Sequence, residues 1–188
     1  LDNSDDLNEV KTRISKDGLN ELTLLGSAVC SNAPLEWVEM IVNAGADING
    51  TETSFMKDRN FSILHCAVEG SNSETVDYLL RSGVDIELAN QNHSHSVAQY
   101  AALTGKDPNS LRAIIAVSDR NSLTDKYDNN LLHYAVSSNK DRTETIQMLL
   151  DLGFEIDEKN VLGETPLQSA FSRSGDWSYP YGPDFNFE

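Results

Sequence analysis

The sequence has 188 residues, enough for one compact domain or one short repeat array. It contains 30 Asp and Glu against 14 Lys and Arg, which gives a formal net charge of −16. A charge this negative opposes direct binding to DNA or RNA and docking on anionic membranes, and it favours a protein partner with a basic patch. An equally simple interpretation is that the acidity only keeps the molecule soluble.

Two cysteines are too few for a disulfide framework. We expect Cys30 and Cys66 to be buried, free thiols, which suit a reducing compartment and predict a cytoplasmic location, with the nucleus as a further option. No run of 18 apolar residues and no signal peptide is visible, so we expect no membrane insertion. The chain starts at Leu1 rather than at methionine, which favours a cleaved or shortened product.

One short pattern recurs along the chain. It is clearest as Ser-Ile-Leu-His-Cys-Ala-Val from Ser62 and as Asn-Leu-Leu-His-Tyr-Ala-Val from Asn130, with weaker copies starting at Thr23, Ser96 and Thr165. The spacings are 62 − 23 = 39, 96 − 62 = 34, 130 − 96 = 34 and 165 − 130 = 35. A motif that returns at such intervals indicates a repeat architecture in which each unit buries its apolar face against its neighbours.

The motif resembles the T-P-L-H-x-A-A signature of ankyrin repeats, and Gly163-Glu-Thr-Pro-Leu is the best literal match. The resemblance implies an all-α repeat solenoid in which each repeat is a β-hairpin or turn followed by two antiparallel helices. It also implies that His65 and His133 are structural, each bridging neighbouring backbone segments. The predicted organisation is a capping helix at 1–18, repeats at 19–57, 58–91, 92–125, 126–160 and 161–175, and an aromatic tail at 176–188.

The opening segment has Leu7, Val10 and Ile14 at helical spacing behind Ser4, a plausible N-cap. We therefore predict an amphipathic helix that covers the first repeat and stops at Gly18. In the first repeat, a helix over about 23–31 precedes a second one whose buried stripe is predicted to contain Trp37, Val38, Met40, Ile41 and Val42.

The connection after Gly45 is about five residues longer than the ankyrin consensus. The surplus lies within 51–60, and an insertion between repeats maps to an outward loop. Residues 90–95 should form the next hairpin tip, where His93 and His95 are exposed or contact a partner, since two histidines at this spacing are too few for a metal site. The third repeat should have a short second helix and an irregular connection.

The fourth repeat returns to the consensus, with Asp125 at the hairpin position. In the fifth, one helix can run to about Ser172 and the second is missing. The tail that follows has five aromatic residues and two prolines in 176–188. Three interpretations stay open: a cap folded over the last repeat, a short motif presented to a partner, or a chain that stops in mid-domain.

The sequence shows no hydrolase, metalloprotease, phosphate-loop or kinase motif, so we expect no enzymatic activity, no metal and no cofactor. Ankyrin proteins generally bind other proteins through hairpin tips and the concave face of the first helices, and the resemblance carries both surfaces over by position. The candidate partner-binding residues are Phe55, Met56, Asp58, Arg59, Phe61, Glu69, Asn92, His93, His95, Leu103, Lys126, Tyr127, Asn129, Ser137, Ser138, Leu162, Trp177, Tyr179 and Tyr181.

We therefore predict a non-enzymatic interaction module, an inhibitor, adaptor or scaffold, which is monomeric by itself. The alternative is a substrate-recruiting fragment of a larger enzyme or of a host-targeting bacterial effector.

Overall fold

The computed structural model describes residues 11–15, 18–53, 60–70, 72–91, 94–137 and 141–172. The chain divides into two compact units, residues 1–97 and 98–188. Within the described residues the four short strands are β1 (Lys11–Ser15), β2 (Gly18–Leu22), β3 (Thr51–Thr53) and β4 (Asn60–Ser62). The helices are α1 (Leu24–Cys30), α2 (Leu35–Asn43), α3 (Ile63–Glu69), α4 (Ser73–Arg81), α5 (Ile86–Gln91), α6 (Val97–Thr104), α7 (Pro108–Val117), α8 (Leu131–Ala135), α9 (Thr143–Asp151) and α10 (Pro166–Ser172), with a 3₁₀ turn at Arg120–Leu123.

In the first unit the helices pack as two layers. Between the two repeats, α1 packs on α3 and α2 packs on α4. Within each repeat, α1 contacts α2 and α3 contacts α4. The core between the layers is apolar, with Leu25, Val38, Leu64, Val76 and Leu79 at 1% exposure or less. This arrangement confirms the predicted all-α repeat class.

The second unit follows the same plan. α8 packs on both α9 and α10, and α7 packs on α9. Leu111, Ile114, Leu131 and Leu149 are fully buried between them. The first, second and fourth predicted repeats each contain a pair of packed helices, and 161–175 contains one helix, α10.

Three of the motif copies start with a side chain that caps the following helix. The side-chain oxygens of Thr23, Ser62 and Thr165 each accept a hydrogen bond from the backbone N–H three residues on, at 2.9, 3.3 and 3.3 Å. A side-chain acceptor at this position satisfies a helix N–H that has no partner within the helix. The hydroxyl at the start of the motif therefore sets where the first helix of the repeat begins.

The two motif histidines are structural, as the resemblance implies. Both rings are fully buried. His133 Nδ1 accepts from the Asn130 N–H at 3.2 Å, and its Nε2 lies 3.1 Å from the carbonyl oxygen of Glu164. Because Nδ1 accepts and a carbonyl can only accept, the proton is on Nε2. His65 makes the equivalent contacts: its Nδ1 lies 2.8 Å from Ser62 Oγ, and its Nε2 lies 3.2 Å from the carbonyl oxygen of His95.

The predicted opening helix is wrong for the part that the structure describes. Residues Lys11–Ser15 form strand β1, which pairs antiparallel with β2 from Lys11↔Leu22 to Ser15↔Gly18. Thr12 and Ile14 are β-branched and favour extended backbone, and the described segment Lys11–Ser15 contains a single apolar residue, which is too few to establish a helical period. Leu7 and Val10 lie outside the described residues.

Two predictions about the segments flanking α6 are also wrong. Helix α5 occupies Ile86–Gln91, where the sequence predicts a hairpin, because Asp85 Oδ1 accepts from the Leu88 N–H at 3.0 Å and caps the turn. The second helix of the third repeat is not short: α7 has ten residues and starts with Pro108 behind the N-cap Asp107, whose Oδ1 accepts from the Asn109 N–H at 3.0 Å. The irregular connection that follows it is the 3₁₀ turn.

The predicted buried stripe of α2 is only partly correct. Val38 is fully buried and Ile41 and Val42 are half-buried, but Trp37 is 60% and Met40 68% exposed. The helix is apolar on nearly every side, and it can bury only the side that faces α1 and α4. Two large apolar side chains therefore remain at the surface.

The expectation of two free thiols is wrong as well. Cys30 and Cys66 form a disulfide, with their Cα atoms 4.8 Å apart. Cys66 is buried, as expected, whereas Cys30 is exposed. The bond joins the C-terminal end of α1 to the middle of α3, and it removes the argument from free thiols for a reducing compartment.

Candidate protein-interaction surface

Two hairpin turns of identical construction carry the candidate surface in the second unit. In the 125–129 turn, Asp125 Oδ1 accepts from the backbone N–H groups of Tyr127 and Asn129 at 2.8 and 2.9 Å. The Asp125 N–H donates to the Asn129 carbonyl at 3.2 Å, and the Asp128 N–H donates to the Asp125 carbonyl at 3.0 Å. A short acidic side chain thus replaces the missing backbone partners of the turn.

The 160–164 turn repeats this pattern 35 residues later (160 − 125 = 35). Asn160 Oδ1 accepts from the N–H groups of Leu162 and Glu164, both at 3.0 Å. The fourth position has positive φ in both turns, 58° at Asp128 and 76° at Gly163, which is the left-handed conformation that Asp and Gly tolerate best. The consensus Gly163 therefore serves the turn, as does Asp128 at the equivalent place.

The two turns are also bonded to each other. The Val161 N–H donates to the Tyr127 carbonyl at 2.9 Å, and Asn160 Nδ2 donates to Asn129 Oδ1 at 2.9 Å. Behind them, Tyr134 Oη donates to Asp125 Oδ2 at 2.9 Å and Asn130 Nδ2 donates to Glu158 Oε2 at 2.5 Å. The tips of the turns are consequently held in fixed register by buried polar groups.

The tips present a mixed surface, which we call the tip platform: Lys126, Tyr127, Val161 and Leu162. Lys126 is exposed and its Nζ lies 5.0 Å from the centre of the Tyr127 ring, a cation–π distance. Tyr127 is half-buried, and Val161 and Leu162 are 55% and 61% exposed. An aromatic ring, a cation and two exposed aliphatic side chains on a rigid support suit protein recognition.

The structure removes three residues from the predicted contact set. Phe61 is 7%, His95 3% and Asn129 1% exposed. Phe61 packs edge-on against His65 with ring centres 5.7 Å apart. The carbonyl of His95 holds the His65 ring. Neighbouring repeats pack closely at these positions, so these three side chains stabilise the fold rather than contact a partner.

Other predicted residues are accessible but lie apart from the tip platform along the chain. Glu69, at the end of α3, is exposed, Leu103 in α6 is half-buried, and Ser137 is half-buried with its hydroxyl donating to the Tyr134 carbonyl at 2.7 Å. The remaining predicted residues fall outside the described part of the chain: Phe55, Met56, Asp58, Arg59, Asn92, His93, Ser138, Trp177, Tyr179 and Tyr181.

Sequence reasoning placed Val161 among the candidate hairpin positions of the fifth repeat but did not keep it in the final set of predicted contacts. The signal was available, since two aliphatic residues directly before Gly163 at a turn tip have no core to fill. It also missed Trp37 and Met40, which periodicity assigned to the core.

The described residues lack a cluster of metal ligands and a membrane-spanning helix. Among them, no group of three or more His, Cys, Asp or Glu side chains is placed to hold a metal ion. In the same part of the chain, no helix is both long and apolar enough to cross a membrane.

The comparisons with known proteins agree with this geometry. A family model described as "Ankyrin repeat" matches residues 59–91, and one described as "Ankyrin repeats (many copies)" matches residues 132–176. An ankyrin repeat protein of Acanthamoeba polyphaga mimivirus is 24% identical over 167 residues, which cover 82% of this chain and 22% of the relative. The chain thus spans about a fifth of the length of that relative. The two family matches and this relative support an ankyrin-repeat protein, and the stacked helix pairs, bridging histidines and Asx-closed hairpin turns agree with that family.

Proposed function

We propose that this chain is a non-enzymatic interaction module, an inhibitor, adaptor or scaffold, whose tip platform binds a protein partner. Ankyrin repeats are generally protein–protein interaction modules, and the family is generally non-enzymatic. The observation that carries the proposal is the register lock between the two turns, the 2.9 Å bonds from Val161 to Tyr127 and from Asn160 to Asn129.

Rigidity matters here because ordering a loop during binding costs free energy. A side chain that is immobilised on association loses roughly 0.5–1.5 kcal/mol of conformational entropy. Side-chain acceptors already fix the backbone of both tips. Binding a partner therefore costs the conformational entropy of the tip side chains only. The platform is therefore prepared for binding before a partner arrives.

The partner that we propose carries a basic patch around an apolar or aromatic contact. Val161, Leu162 and Tyr127 offer the apolar area, and Asp128 and Glu164 lie in the same turns. Glu69, Leu103 and Ser137 are proposed as further contacts on the first helices. We propose a monomer with no direct nucleic-acid binding, and the cytoplasmic or nuclear location stays a prediction without the support that free thiols would give.

The test has two stages. The full chain is used to capture partners at low and at physiological salt, and the partner identified by mass spectrometry is then purified and titrated. Tyr127→Ala combined with Leu162→Ala should weaken binding about tenfold or more, since each truncation removes a large contact side chain. Ile156→Ala, which alters another side chain exposed to 60%, is the matched control and should leave affinity unchanged.

Equal binding by wild type, tip variant and control would refute the tip platform as the partner site. Binding that vanishes at physiological salt for every partner would refute a dedicated interaction, because exposed charges alone are screened over about 8 Å. Thermal unfolding of the tip variant must match wild type for either conclusion.

The alternative, a recruiting fragment of a larger enzyme or bacterial effector, also stays a prediction. The matched relative is several times longer than the matched segment. Sequencing the complete reading frame around this segment separates the two, because a catalytic domain in the same frame would favour the alternative.

A further inference from the structure

The outer helix of the first repeat exposes two large apolar side chains. Trp37 is 60% and Met40 68% exposed. They stand three residues apart on α2 and therefore share one face of the helix. Tryptophan and methionine are both enriched at protein interfaces and depleted from open surfaces.

The stretch of sequence that contains α2 carries charge of one sign. Between Lys16 and Lys57 the chain contains no Lys, Arg or His. In the same interval it has six acidic residues: Asp17, Glu21, Glu36, Glu39, Asp47 and Glu52. Glu36 is exposed and Glu39 is half-buried, and both flank Met40 on α2.

An open cleft of about 540 Å³ adjoins the same helix, between the turn before α2 and the start of α4. Three carboxylates line it, those of Glu36, Glu39 and Glu74. Asn32 and Asn72 also line it, and Asn72 Nδ2 donates to Asn32 Oδ1 at 2.9 Å. The cleft lies wholly within the first unit.

These carboxylates are not neutralised in the part of the chain that the structure describes. None of the three forms a hydrogen bond or an ion pair there. The nearest cation along α4, Arg81, is seven residues from Glu74, roughly 10 Å along the helix axis. The N-termini of α2 and α4 contribute about half a positive charge each, which is less than the three negative charges present.

We propose that the exposed face of α2, with this cleft, docks a cationic amphipathic segment of a protein partner. An apolar side chain of the segment covers Trp37 and Met40, and a neighbouring Lys or Arg enters the cleft between Glu36, Glu39 and Glu74. The occupant follows from charge: an acidic or neutral apolar segment would bring no counter-charge to the cleft, whereas a cationic one pairs with it while burying the apolar face.

The inference rests on the proposed protein-binding function but uses a second surface. The α2 face and the tip platform share no residue. The two can therefore fail separately in experiment.

The probes are three synthetic peptides of equal length: one of Leu and Lys in an amphipathic helical pattern, one of Lys and Ser, and one of Leu and Glu. Binding to the full chain is followed by fluorescence in a Trp177→Phe background, which leaves Trp37 as the single tryptophan. We expect the Leu/Lys peptide to bind and to shift the Trp37 emission to the blue, the Lys/Ser peptide to bind at least about tenfold more weakly, and the Leu/Glu peptide not to bind.

Variants assign the site, with binding followed by calorimetry so that Trp37 can be replaced. Trp37→Ala with Met40→Ala, and separately Glu36→Gln with Glu39→Gln and Glu74→Gln, should each weaken Leu/Lys binding about tenfold or more, while Ile156→Ala should not. These side chains are exposed or half-buried, so that the variants should fold, which circular dichroism checks.

Equal affinity for the Leu/Lys and Lys/Ser peptides would overturn the proposal, because bulk acidity would then account for binding. Affinity that falls only in the Tyr127→Ala and Leu162→Ala variant would also overturn it, while supporting the tip platform. Loss in the α2 variants with no effect of the tip variant supports the α2 face, whatever the outcome at the tips.

Discussion

Asn160 donates a side-chain hydrogen bond to Asn129 at 2.9 Å, across 31 positions of sequence. Both side chains are 5% exposed or less. The same Asn160 side chain closes its own turn through the N–H groups of Leu162 and Glu164. One amide thus folds one hairpin and fixes it to the preceding hairpin.

Replacing Asn160 by Ala should therefore be costly. The change leaves two backbone N–H groups and the oxygen of Asn129 without their partners, at a cost of about 3 kcal/mol in the free energy of unfolding. Urea denaturation followed by circular dichroism measures it. Gln147→Ala is the control: its amide donates to Asp151 at 2.9 Å on the exposed face of α9, and its loss should cost under about 0.5 kcal/mol. Equal losses would show that the turn does not depend on this side chain.

The buried hydroxyl of Tyr134 makes a smaller, separable contribution. Tyr134→Phe removes the 2.9 Å hydrogen bond to Asp125 Oδ2 without creating a cavity, and should cost about 1 kcal/mol. Tyr78→Phe is the matched control on α4. Within the described residues the Tyr78 hydroxyl has no hydrogen bond, so we expect no change in the unfolding midpoint. A neutral Tyr134→Phe would mean that Asp125 is satisfied by its remaining donors.

The disulfide should add stability that a reductant removes. Cys30 and Cys66 are 36 residues apart, and closing a loop of that length stabilises a fold by about 4 kcal/mol. Thermal unfolding with and without dithiothreitol measures the difference. The Cys30→Ser, Cys66→Ser variant should unfold like the reduced wild type and ignore the reductant. Titration of two free thiols in the native protein, purified without reductant, would contradict the pairing.

Acid should weaken the start of α9 through Asp141. Hydrogen bonds from the backbone N–H and then the hydroxyl of Thr143, at 2.9 and 2.7 Å, hold the pKa of Asp141 below its ordinary value of 3.8. A folded-state pKa below the unfolded one contributes stability above the unfolded value, and this stability is lost as the pH falls through the folded one. Wild type should therefore lose stability more steeply below about pH 4 than Asp141→Asn.

The measurement for this prediction is the unfolding free energy as a function of pH, with Asp157→Asn as a control that removes an exposed carboxylate. Parallel pH curves for wild type and Asp141→Asn would rule out the contribution. The control curve should follow wild type through the acid region.

Much of the fold could be predicted from the regular spacing of the motif copies. The motif copies place a capping side chain and small residues at fixed positions, and α1 and α10 follow from them, whereas the roles of His65 and His133 were implied by the resemblance to ankyrin repeats. These features depend on contacts within one repeat or with the next equivalent residue, which periodicity encodes.

The wrong predictions share a physical cause. In each case the outcome depends on neighbouring contacts or on an alternative local structure that the sequence pattern alone does not distinguish. Helix α2 is apolar on nearly all sides, so its sequence could not indicate that Trp37 and Met40 lack a neighbour. Asp85 caps a helix where the consensus has a turn, and no Gly or Pro prevents it. The pairing of Cys30 with Cys66 depends on a Cα separation of 4.8 Å that only the stacked helices create.

The candidate surface was predicted in outline only. Lys126, Tyr127 and Leu162 lie at turn tips as expected, because the hairpin positions keep their register. Phe61, His95 and Asn129 occupy formally equivalent hairpin positions but are buried. The position in the repeat thus predicts which segment lies at the surface. Which side chains of that segment are exposed depends on how the neighbouring repeats pack against it.

The covalent bond between α1 and α3 also changes how the array can come apart. In a linear stack each repeat is held only by its neighbours, and a helix with fewer buried side chains opens first. In α1 only Leu25, Gly26 and Val29 are buried, whereas α3 is buried from Ile63 to Val68. Because Cys30 is joined to Cys66, α1 remains attached to α3 when α1 unfolds locally. We therefore expect the two helices to open together rather than one before the other. Amide hydrogens of α1 and α3 should then exchange with solvent at matching rates, and reduction should make α1 the faster of the two.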